Sequence, residues 1–175
     1  MNKIIWIIGE SATGKETFIR YAITNPNCEL IKQLGYNNGK IIPIFDVPDD
    51  ERIKIKDMVL DLLNKETNAT ILIKWQAVDS LHRQYSDVLR KLATATPNIQ
   101  SEIILLSVER AALWSRLQKK DWWADWCKKN NWTRDNVDKS AERIKNHARD
   151  LSNELGFKLT EIDATDGYEL IKERV

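Results

Sequence analysis

The chain has 175 residues, 42% apolar and 30% charged, enough for one domain with a proper core and no need of disulfide or metal staples. Its 27 Lys and Arg against 26 Asp and Glu leave a net charge of +1, so a nucleic-acid partner would have to find a local basic patch. The two cysteines, Cys28 and Cys127, sit in no metal-ligand or redox spacing, and no apolar run is long enough to cross a bilayer. The opening MNKIIWIIGE is too short for a signal peptide and is cut off by a glycine loop, so a soluble, cytoplasmic protein with no membrane partner is expected.

In chain order, Lys3 to Ile8 (KIIWII) is a β-branched apolar run that suits a strand buried on both faces. A helical pattern runs from Gly14 to about Thr24 and ends at Asn25-Pro26-Asn27. After the turn signal Asn37-Asn38-Gly39, Lys40 to Asp46 forms a second strand, which Pro43 assigns to an edge or an irregular position because it lacks an N–H. Asp49-Asp50-Glu51 reads as the acidic first turn of a helix reaching about Lys65. Thr70 to Trp75 is a third strand and Asp79 to Leu92 the next helix. Glu102 to Val108 is a fourth strand, leading into a helix from about Glu109 to Lys119. A polar stretch with tryptophans, Lys120 to Trp132, precedes a long helix from about Arg134 to Leu155, stopped by Gly156. Phe157 to Ile162 is a fifth strand, Asp163 to Gly167 a loop, and Tyr168 to Val175 a terminal helix.

Strands alternating with helices imply a mostly parallel sheet of five strands with helices on both faces, in a single domain covering residues 1–175. Ligands of such sheets bind beyond the C-terminal ends of the strands, which gathers Gly9 to Thr17, Asp46, Lys74 to Gln76, Ser107 to Arg110 and Ala164 to Gly167 at one edge.

The first of these, IGESATGKETF, is nearly a phosphate-binding loop. Gly9 and Gly14 frame Glu10, Ser11, Ala12 and Thr13, and Lys15 follows. Glycines let backbone N–H groups turn inward around phosphate oxygens, the lysine supplies a point charge, and the next helix adds its positive end. A chance glycine turn is the plain alternative, but the preceding strand and following helix are the context the motif requires. Glu16 stands where a Ser or Thr hydroxyl usually meets magnesium. It could ligate the metal as a hard oxygen donor, or leave that task to Thr17. GESATGKE also resembles the loop GESGTGKE of bacterial enhancer-binding transcription activators, where Glu after the lysine does not abolish ATP use. That likeness covers the loop alone, with no GAFTGA segment.

Over its whole length the chain resembles the P-loop nucleoside and nucleotide kinase group, through Gly9 to Thr17, LLSVERAALWSRLQKKD at Leu105 to Asp121, and FKLTEIDATDG at Phe157 to Gly167. The resemblance implies a three-layer P-loop NTPase fold with a helical lid at about 119–140. It also implies ATP with Mg2+, and transfer of the γ-phosphoryl to an acceptor. Gly14, Lys15, Glu16 and Thr17 would hold the phosphates and metal. Asp46 matches the carboxylate that accepts the proton from an attacking hydroxyl, or that positions magnesium through water; otherwise it is a strand-end turn residue. Arg116, with Arg110, Lys119 and Lys120 as alternates, sits where lid cations stabilise charge on the transferring group, while Arg134, Arg143 and Arg149 lie further into the lid. Ala164 and Thr165 would lie beside adenine.

The third strand ends in Lys74-Trp75-Gln76 where many relatives carry an acidic metal-orienting residue. A cation, an aromatic face and an amide there could bind a phosphate and stack a base, unless Trp75 is core and Lys74 a solvated strand end. Trp122, Trp123 and Trp126 share one helical face, which fits packing of the lid base; beside Lys119, Lys120, Lys128 and Lys129 they could instead engage a single strand or a flipped base. On the second reading the chain is similar to compact bacteriophage kinases that phosphorylate 5-hydroxymethyluracil in DNA, acting in the host cytoplasm, with Trp123 among the substrate contacts. A nucleoside, nucleotide or other small-molecule kinase is the near alternative. A P-loop ATPase switch without an acceptor is the distant one, since the third strand lacks the usual terminal Asp and only Ile41 to Asp46 could substitute.

Overall fold

The computed structural model describes residues 1–36, 39–45, 54–75 and 83–171. Asp46 and Gln76, the predicted general base and the predicted amide, lie outside them. Among the described residues the chain is α/β, with a mixed six-stranded sheet and seven helices. Strand β1 (Lys3–Ile8) is central. It pairs in parallel with β3 (Ala69–Lys74) on one side and β4 (Gln100–Ser107) on the other. Outside these, β2 (Lys40–Ile44) runs parallel to β3, and β5 (Lys158–Asp163) runs parallel to β4.

The KIIWII run is central because both of its faces need cover. Ile4, Trp6 and Ile8 join one core with Ile55 and Val59 of helix α3 (Ile55–Lys65), Leu89 and Leu92 of α4 (Arg83–Ala95), and Ile144, Ala148 and Leu151 of α7 (Arg134–Leu155). Ile5 and Ile7 point the other way, to Phe18, Ile19 and Ala22 of α1 (Lys15–Thr24) and Ile31 and Leu34 of α2 (Glu29–Leu34). Successive side chains of a strand alternate between faces, so a run with no polar member after Lys3 requires two helical layers. Pro43 sits in β2 at the sheet edge, where its missing N–H breaks no ladder on the open side.

Two predictions are corrected. The sheet has six strands rather than five, and residues 169–170 are not helical: β6 (Glu169–Leu170) pairs antiparallel with Ile162 and Asp163. Tyr168 and Leu170, two residues apart, both pack toward the α1 side of the core, and a spacing of two suits a strand. Helix α2 also escaped prediction. Helix α7 has the expected limits: the Asn136 side chain accepts from the Thr133 N–H at 2.8 Å, and Gly156 closes it at φ 66°. Helices α5 (Arg110–Gln118) and α6 (Trp123–Asn130) bridge β4 to α7.

Candidate functional site

The loop from Gly9 to Gly14 leaves β1 at its C-terminal end and becomes the start of α1. A Cβ on Gly9 would stand 2.6 Å from Thr13 Oγ1 and 2.8 Å from the Leu106 carbonyl, so only glycine fits between the loop and β4. Ala12 (φ 64°) and Gly14 (φ 88°) take left-handed conformations that bend the chain around. Such a conformation is unfavourable for alanine. Ala12 is held there by packing on Leu113, Leu117, Trp123 and Val137. Thr13 Oγ1 donates to the Glu10 carbonyl at 2.8 Å, a further brace across the turn.

Lys15 is 7% exposed, and its ammonium donates to the carbonyls of Gly9 at 2.7 Å and Glu10 at 2.9 Å. Burial pushes its pKa from the ordinary 10.5 to about 8; the Glu10 carboxylate opposes the shift and Lys74 adds to it. Glu10 is itself buried. Its carboxylate accepts from the Ser11 N–H at 2.7 Å and from the Ser140 hydroxyl of α7, tying the loop to the long helix. Ser140 lies 130 residues away in sequence, and no local signal announces it.

A cavity of about 470 Å³ opens beside the loop. Ala12, Thr13, Gly14 and Thr17 line one wall; Arg116, Lys119 and Lys120 supply three cations; Ala164, Gly167 and Tyr168 complete it. Arg116 is fixed by donating to the carbonyls of Ala164 at 2.8 Å and Thr165 at 2.6 Å. The Ala164 N–H in turn donates to the Ser107 carbonyl at 2.8 Å, so the turn after β5 is anchored on β4. The structure thus brings together the loop, Arg116 and its alternates Lys119 and Lys120, and Ala164 with Thr165. Arg110 lines a different cavity, and Arg149 lies 3.8 Å from Glu161. Tyr168 was missed as a wall of the cavity because its segment was read as a helix.

Among the described residues Glu16 is engaged by Arg20 and Lys74. Arg20, one turn along α1, donates to its carboxylate at 2.7 and 3.0 Å, and the Lys74 ammonium lies 3.7 Å from it. The Glu16 to Arg20 spacing of four was legible as a helical ion pair. Thr17 is exposed at the cavity wall.

Trp75 does not offer a face to a ligand. It is 3% exposed, and its N–H donates to the Ile7 carbonyl at 2.9 Å, so the β3 line continues one residue past Lys74. That continuation sends its ring to the same face as Ile71 and Ile73, 5.2 Å from the Trp6 ring. Trp123 is likewise interior. It is 5% exposed, stacks on Trp126 at 5.4 Å and meets Trp114 and Trp132 edge-on, with its Nε1 buried and unpartnered among the described residues. Both tryptophans are corrected from substrate contacts to packing residues. Trp122 is the half-exposed member of the group.

Among the described residues no three His, Cys, Asp or Glu side chains cluster as a metal site, and no helix is long and apolar enough to cross a membrane. No family model and no curated protein matches the chain. Among solved structures it is similar to the one titled "Crystal structure of APE1195", at a TM-score of 0.42 and 14% identity over 98% of this chain and 82% of that one. So loose a likeness carries no argument about fold or activity.

Proposed function

We propose that the chain is a P-loop phosphotransferase that binds ATP at the loop of Gly9 to Thr17 and moves its γ-phosphoryl to a hydroxyl of a nucleotide or of a modified base such as 5-hydroxymethyluracil in DNA. The observation that carries this reading is the shared cavity: Ala12 to Gly14 of the loop, Thr17 and the cations Arg116, Lys119 and Lys120 line one space at the C-terminal end of the sheet, and Lys15 lies buried behind the loop on its carbonyls. The strand order β2-β3-β1-β4-β5, with the loop on the central strand, agrees with a P-loop fold.

The donors fit phosphate. Lys15, now on two loop carbonyls, can exchange them for phosphate oxygens, a stronger charge-assisted bond. Arg116 is held by backbone carbonyls, so its charge is positioned before any ligand arrives, the arrangement that stabilises developing negative charge without reorganisation. Ala164 and Tyr168 supply the apolar wall against which a base would lie. Magnesium fits less well: the Glu16 carboxylate, expected to ligate it, already holds Arg20 and Lys74. With Trp75 and Trp123 interior, the DNA-base reading rests on the basic rim and Trp122.

The test is incubation with γ-labelled ATP and mononucleotides, plain DNA or hydroxymethylated DNA. Label on an acceptor, lost in Lys15→Ala, supports transfer and names the acceptor class. Release of free phosphate alone would replace this reading with an ATPase switch.

A further inference from the structure

A phosphate loop ordinarily neutralises its ligand with a lysine and a divalent ion, the ion held by the hydroxyl after the lysine and oriented by an acid at the end of a neighbouring strand. This chain replaces both groups. The hydroxyl position holds Glu16, and the end of β3 holds Lys74, placed beside Ile7 of β1 by the strand register. The two replacements are each other's counter-charge, with the Lys74 ammonium 3.7 Å from the Glu16 carboxylate. Arg20 takes the other side of that carboxylate at 2.7 Å. Lys74 is also close enough to Lys15 to push that ammonium further toward its neutral form.

A divalent ion at Glu16 would have to displace two cations from the carboxylate and then stand beside Lys74 and Lys15, which repel it. A polyphosphate entering the loop meets the opposite balance: Lys15, Lys74 and Arg20 attract it, and Glu16 is already screened by its two partners. The side chain of Lys74 is 26% exposed.

We infer that Lys74 is the site's built-in counter-ion, so that the loop takes the triphosphate of a nucleotide free of divalent metal. This rests on the reading of the loop as a nucleotide site and specifies the form in which the nucleotide binds. Glu16 becomes a positioning residue that draws Lys74 to the loop rather than a metal ligand. The paired replacement also explains a carboxylate beside a phosphate site, which alone would be repulsive.

Titration calorimetry with a nonhydrolysable ATP analogue, in excess magnesium and in excess EDTA, tests the inference. The wild-type dissociation constant should differ by less than about threefold between the two conditions, and Lys74→Ala should weaken binding in EDTA by about tenfold or more, as loss of one charge-assisted phosphate contact does. Lys74→Asp should create a magnesium requirement, while Lys74→Arg should retain binding in EDTA. Thermal unfolding of each variant separates lost folding from lost binding. Wild-type binding that disappears in EDTA, or Lys74→Ala binding as tightly as wild type there, overturns the inference and leaves the nucleotide site standing. No binding in either condition overturns both.

Discussion

Replacing Lys15 with methionine should stabilise the protein while abolishing phosphate binding. Lys15 is 7% exposed, and burial lowers its pKa from 10.5 to about 8. A depressed lysine pKa means that the unfolded chain binds the proton more tightly than the folded one. The penalty is therefore fully present below pH 8 and is relieved as pH rises toward 10.5. The shift corresponds to about 3 kcal/mol near pH 7, falling to about 1 kcal/mol near pH 9.5. Methionine fills a similar volume without charge but removes the donor to the Gly9 and Glu10 carbonyls, at a cost of about 1 to 2 kcal/mol that does not vary with pH. Lys15→Met should thus gain about 1 to 2 kcal/mol near pH 7 and little or nothing near pH 9.5. Urea unfolding of both proteins at the two pH values measures the difference. A gain that does not shrink with pH would show that the buried ammonium is not the source, and a loss at both values would show that its hydrogen bonds outweigh its desolvation.

The same pKa predicts proton uptake. If phosphate returns Lys15 to its charged form, ATP binding near pH 8.5 should take up roughly 0.7 of a proton, read from binding heats in buffers of different ionisation enthalpy. Gly9→Ala forces a methyl against the Leu106 carbonyl, which cannot swing away; it should destabilise by about 1 to 3 kcal/mol and eliminate nucleotide binding, checked by thermal melts and calorimetry. Trp123→Ala empties the centre of the cluster under Ala12 and should destabilise by about 3 to 5 kcal/mol, measured by denaturation; an unchanged midpoint would mean the cluster is not core. Ser140→Ala removes a donor to the buried Glu10 carboxylate and should weaken ATP binding as well as the fold, whereas Ser152→Ala, far from the loop, should leave binding unchanged.

Much of the sheet was legible because burial on two faces leaves an unmistakable mark. KIIWII and EIILLSV lack polar interruptions, and their neighbours had to be helices. Pro43 located an edge, and Gly156 marked the end of α7, whereas the Thr133 cap at its start was not read. The turn from Gly9 to Gly14 between a strand and a helix was legible because both flanking patterns were clear. What escaped was set by partners remote in sequence or by elements too short to show a period. Helix α2 has six residues, of which Ile31 and Leu34 are buried. Trp75 was placed at the end of the third strand, but the sequence does not say that its ring meets Trp6 of β1, 69 residues earlier, rather than a ligand. Trp122, Trp123 and Trp126 announced a helical face, but which of them faces inward depends on Trp114, Val137 and Ala12, drawn from three other segments.

The bond between Glu10 and Ser140 also fixes when the site comes into being during synthesis. The loop is made well before Ser140, its brace on α7, and before the Ala164 and Thr165 carbonyls that seat Arg116. A ribosome-bound chain that has not yet extruded residues 140–165 has the loop without its supports. Domains fold as units once their long-range partners emerge. In this molecule the loop is translated long before the contacts that hold its shape can form.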